Sequence, residues 1–101
     1  MPELFRVLGY KIYFWSNEND EPVHVHCPTG VPSKNETKLW ITSDGNVILE
    51  HNKSRIPAKD LSRIIKFLES NEKQIVRAWV EFFGTKAIFV DGGVREDDEA
   101  K

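Results

Sequence analysis

A single cysteine, Cys27, leaves no partner for an internal disulfide. The chain must therefore be held by packing alone, and a reducing compartment is its expected setting. No apolar run approaches the ~20 residues of a membrane span, and no charged-then-apolar leader opens the sequence. A cytoplasmic protein with no membrane partner is the expectation. No glycine-rich phosphate loop runs into Lys and Ser/Thr, and no serine stands in a nucleophile-elbow context. CxxC and HExxH patterns are missing too. An excess of positive charge is also lacking: the net charge of −2 argues against a dedicated nucleic-acid binder.

What is present suffices for a core. Forty per cent hydrophobic content with eleven aromatics in 101 residues supports one packed domain and no second one. We expect it to span residues 1–90, with 91–101 an acidic, flexible tail. Charge is unevenly spread. Lys53 to Lys86 holds eight basic residues and four acids, whereas acids gather at Glu18, Asp20 and Glu21 and in the tail.

Tyr10, Ile12 and Phe14 alternate with Lys11, Tyr13 and Trp15, the period of a strand. A first strand region is expected over Leu4 to Ser16, interrupted or bent at Gly9. Val23 to Cys27 reads as a second strand, with Val23, Val25 and Cys27 on one face and His24 and His26 on the other. Thr37–Thr42 and Asn46–Glu50 read as a hairpin turning at Ser43-Asp44-Gly45. A three-residue loop with Gly45 left-handed pairs Leu39 with Leu49 and Ile41 with Val47, and it sets Lys38 opposite Glu50.

Pro57 is placed to open a helix whose stripe is Leu61, Ile64, Ile65 and Leu68. Ser70-Asn71 with Glu72 and Gln74 resembles a capping box. Beyond it Ile75, Val76, Trp79, Phe82 and Phe83 continue the stripe to Gly84. One long kinked helix and a helical pair both fit. Ala87–Val90 could add a late edge strand. The expected class is α+β: an antiparallel sheet of three to five strands with the helices packed on one face.

Two imidazoles on one strand face, about 6–7 Å apart at the backbone, form the sharpest local feature. His24 and His26 could serve as general acid and base on an RNA 2′-hydroxyl, since imidazole titrates near neutrality. Lys38, Arg55 or Lys59 would then stabilise phosphate charge. They could instead begin a metal site, completed by Asp20, Glu21, His51 or Cys27. A third reading makes them polar residues of a half-exposed strand, bonded to the acidic loop. No cofactor is expected, and metal on His24 and His26 remains an alternative.

Lys59, Arg63, Lys66, Lys73 and Arg77 share one helix face, fit for an RNA backbone, an acidic partner or simply solvent. Tyr13, Trp15 and Trp40 could form an exposed aromatic patch that stacks bases or docks a protein; the alternatives are an edge of the core beneath a loop and a homodimer contact.

The run Gly9-Tyr10-Lys11-Ile12-Tyr13-Phe14-Trp15-Ser16-Asn17-Glu18, then Pro22-Val23-His24-Val25-His26, resembles the opening of the bacterial domain of unknown function 4160 family. Trp79-Val80-Glu81-Phe82-Phe83-Gly84 resembles that family's helix ending. The resemblance implies a small prokaryotic protein of a toxin–antitoxin type gene pair, with a cognate partner from a neighbouring gene. The expected function is such a component acting on RNA through His24 and His26. The alternatives are a non-catalytic partner-binding module and a metal-binding domain.

Overall fold

The computed structural model describes residues 3–15, 21–29, 36–84 and 86–95. Among these residues nine elements follow in chain order: β1 (Glu3–Val7), β2 (Tyr10–Tyr13), β3 (His24–Cys27), β4 (Thr37–Ile41), β5 (Val47–His51), α1 (Ala58–Ser70), α2 (Glu72–Phe83), β6 (Ala87–Ile88) and β7 (Val94–Arg95). The first five strands form one antiparallel sheet in sequential order, and β6 pairs with β7. The fold is α+β, a five-stranded sheet followed by two helices.

The bend expected at Gly9 is a full reversal. Leu8 (φ 52°) and Gly9 (φ 85°) turn β1 back onto β2, with Val7 opposite Tyr10. A two-residue hairpin loop matches strand twist when both residues have positive φ, usually as Asn-Gly. Leucine in the first position concealed this turn.

The β4–β5 hairpin has the expected register, Leu39 opposite Leu49 and Ile41 opposite Val47, and Gly45 sits at φ 90°. The expected Lys38–Glu50 pair does not form. A register shift between Lys38 and Leu39 puts His51 opposite Lys38, and Glu50 instead accepts a 2.7 Å bond from Trp40 Nε1.

Helix α1 follows Pro57, which fixes the entry angle without needing an N–H. The chain then breaks at Asn71 (φ −122°, ψ 21°), so there are two helices. No capping box closes this junction. Asn71 Nδ2 donates instead to the Phe67 carbonyl at 2.8 Å, satisfying the end of α1 rather than the start of α2. Gly84 ends α2 in the left-handed conformation, φ 70°.

One face of the sheet supplies Ile12, Phe14, Val25, Leu39 and Ile41 to the core. The helices answer with Ile64, Leu68, Ile75, Val76 and Trp79, all of them buried. Each such side chain contributes about 1.5–3 kcal/mol by leaving water. β6 joins this body through a 2.8 Å bond from Val23 N to Ile88 O. The turn after it is hooked to the β4–β5 turn by Ser43 Oγ and Ser43 N, which both donate to Asp91. Strand pairing thus runs on to Arg95, and 96–101 lie outside the described residues. The sheet has a thin seam: among the described residues, β2 meets β3 through the single pair Tyr13–His26.

Candidate functional site

Strand alternation puts His24 and His26 on the face turned away from Val25 and Cys27. Cross-strand register then sets Tyr13 beside His26, Lys38 opposite His26 and Trp40 opposite His24. The imidazoles do come together, edge to face, with ring centroids 4.9 Å apart. They are not at an open surface. His24 is 0% exposed and His26 8%.

Around His24 stand Trp40 and Trp79, each 5.4 Å away between ring centroids, and its Nδ1 lies 2.8 Å from the Pro22 carbonyl. That distance implies Nδ1–H donating to the carbonyl. His26 packs beside Tyr13, with centroids 6.0 Å apart, and its Nδ1 lies 3.3 Å from Glu36 Oε1.

Glu36 organises this face. It is 4% exposed, and its carboxylate also accepts from the Tyr13 hydroxyl and from Trp15 Nε1 at 3.1 Å. A buried carboxylate is costly unless its lone pairs are used; here three aromatic or imidazole groups meet them. Two of those groups belong to the β2 segment and one to β3, so the carboxylate clasps the sheet across its thin seam. Sequence reasoning passed over Glu36. Its parity with Lys38 and Trp40 along β4 was the available signal, since even positions there share the histidine face.

The other proposed binding residues divide into two groups. Lys38, Trp15 and Trp40 adjoin the histidines but are engaged. Lys38 Nζ pairs with Glu21 at 2.9 Å and lies 4.4 Å from the Trp40 ring centre, and both indole N–H groups are held by carboxylates. The expected exposed aromatic patch is not there: Tyr13 is fully buried, and Trp15 and Trp40 are half-buried. Arg55, Lys59, Arg63 and Lys66 are all exposed. The last three line the outside of α1, whose inner face, Ile64 and Leu68, meets the opposite side of the sheet. The α1 basic groups thus lie away from the imidazoles, which keep Lys38 beside them, while α2 reaches His24 through Trp79.

For metal, no three His, Cys, Asp or Glu side chains converge among the described residues. Asp20 lies outside those residues, and Glu21 is taken by Lys38. Cys27 is fully buried on the core face, and burial pushes its thiol up to about 12. His51 is half-buried with Nδ1 lacking a hydrogen bond among the described residues. Its pKa is lowered, first by burial and then by the Lys53 charge.

Fold and site together define a small α+β domain with a buried aromatic, imidazole and carboxylate cluster on one sheet face and a cationic helix layer on the other. The chain belongs to the family described as Domain of unknown function (DUF4160), whose model matches residues 9–80 and so takes in both the β2–β3 cluster and most of the helices. No curated protein and no solved structure matches it.

Proposed function

We propose that this chain is a non-catalytic interaction module, the partner-binding half of a toxin–antitoxin type gene pair, that receives an acidic protein on its helix layer. The observation that carries this reading is the separation of layers. An acid–base pair for RNA cleavage needs both rings and a cation within reach of one phosphodiester. Here His24 has no exposure, Lys38 beside the rings is held by Glu21 at 2.9 Å, and Lys59, Arg63 and Lys66 are exposed along the outside of α1. The imidazoles act as packing and hydrogen-bonding groups that stiffen the sheet.

The helix layer favours a partner. Lys59, Arg63, Lys66, Lys73 and Arg77 are all exposed, and among the described residues none of them makes an ion pair. Protein is favoured over RNA because Trp15 and Trp40 are pinned rather than offered for stacking, and the chain's net charge is −2.

The test is co-expression with the product of the neighbouring gene, alongside incubation of the purified chain with structured and single-stranded RNA. The expected result is a salt-sensitive complex, weakened about tenfold or more by Lys59→Glu/Arg63→Glu as opposed charges become like ones, with the RNA intact. RNA cleavage abolished by His24→Ala/His26→Ala in a folded variant would overturn the proposal.

A further inference from the structure

The two edges of the sheet are built differently. β1 carries Glu3 and Arg6, exposed and paired at 3.2 Å, the kind of charged edge that discourages further strand pairing. β5 carries Ile48 and Leu49, which are 47% and 39% exposed. Thr42 N bonds to Asn46 O at 2.9 Å, and alternation then turns Ile48 toward β4 and the main-chain groups of Val47 and Leu49 outward. Val47 N accordingly meets only a side chain, donating to Glu69 Oε2 at a long 3.4 Å. Beside this edge α1 has a shallow depression of about 390 Å³ lined by Leu61, Ile65, Lys66 and Glu69 among others.

We infer that β5 pairs antiparallel with β5 of a second copy of this chain, about a two-fold axis at Ile48, giving a continuous ten-stranded sheet. This inference goes beyond the partner-binding reading and does not depend on it. Three observations select a second copy as the occupant.

The first is chemical register. Outward groups at Val47 and Leu49 must pair with each other or with themselves. Centring on Ile48 puts Ile48 against its own copy and Val47 against Leu49 twice, whereas centring on Leu49 would set Ile48 against Glu50. The second is charge. The start of β5 is acidic, with Asp44 in the turn, Glu69 at Val47, and Glu72 packed where a Gly45 Cβ would lie, 3.3 Å away. Its far end is basic on balance, with exposed Lys53 and Arg55 after His51 against one acid, Glu50, whose carboxylate accepts from Trp40 Nε1. An antiparallel self-pair brings acidic end to basic end twice, as isologous symmetry requires. The third is fit. Val47 and Leu49 point to the helix side, so Leu49 of the second copy, lying across from Val47, reaches the apolar depression beside Glu69.

Sedimentation equilibrium across a concentration series tests this. Wild type should tend to twice the 11.7 kDa chain mass. Ile48→Asp, with an unchanged melting profile, should raise the dimer Kd at least tenfold. Lys53→Glu and Asp44→Lys should each weaken self-association, while their mixture forms a heterodimer with both end contacts restored. A wild type that stays monomeric at every concentration overturns the inference. If Glu69→Ala then dimerises, Glu69 is a guard on the edge. If the monomer takes up the neighbouring gene product on β5, the edge belongs to that protein. A dimer indifferent to Ile48→Asp also overturns it. Lys59→Glu/Arg63→Glu, which tests the helix layer, should leave the dimer intact, so the two proposals fail separately.

Discussion

At the scale of single residues, Glu36 and Cys27 are each defined by burial but answer to different probes. Replacing Glu36 with leucine strips an acceptor from Tyr13, Trp15 and His26. Since a hydrogen bond to a charged acceptor contributes about 1.5–3 kcal/mol, urea denaturation should show a loss of at least ~2 kcal/mol. Cys27, whose thiol burial holds at about 12, should resist alkylation at pH 8 in the native protein. It should react at the ordinary thiol rate once urea unfolds the chain, as thiol titration would show. Brisk native labelling would mean that β3 opens. The histidine pair was legible from alternation alone. Its enclosure was not, because a period of two reports which face a side chain takes and says nothing of what later covers it. Trp79, fifty-five positions after His24, supplies part of that cover.

Among the elements, the turns separate what pattern can and cannot reveal. The β4–β5 register followed from a left-handed Gly45 in a three-residue loop, and it is as expected from Ile41 to Leu39 but shifts at Lys38. The β1–β2 hairpin escaped notice because its first turn residue is leucine, a residue that rarely takes positive φ. Leu8 at φ 52° and 51% exposed carries backbone strain with little burial to offset it. Leu8→Asn should therefore stabilise the protein by about 1 kcal/mol, raising the thermal midpoint without altering the near-ultraviolet dichroism. The helix break was ambiguous for a related reason. The apolar stripe continues in phase across Asn71, so hydrophobic spacing could not separate one helix from two, and the backbone at that one residue decides it.

For the whole molecule, stability should depend on pH through His51. Its folded pKa is lowered, so the fold prefers the neutral ring. Above the unfolded value of about 6.5 both states are neutral and the full stability is present. As pH falls through that value the unfolded chain takes up a proton that the fold resists, and stability declines. Between pH 7.5 and 5 the wild type should lose more stability than His51→Gln, measured by urea midpoints at each pH. The other titrating groups are common to both chains and cancel in the difference. An equal slope in the two proteins would show that the neighbouring Lys53 charge and burial have no net effect there.

The lone Tyr13–His26 pairing has a mechanical corollary. Where main-chain bonding is sparse, side chains have taken over, so the N-terminal ribbon is a leaf held on one face by Tyr10–Asp60 and Phe14–Trp79 and on the other by the Glu36 carboxylate, its fastener across the seam. Loosening that fastener should free the leaf before the rest of the protein gives way. In Glu36→Leu, amide exchange should accelerate across 10–13 while the amides of 39–41 keep their protection.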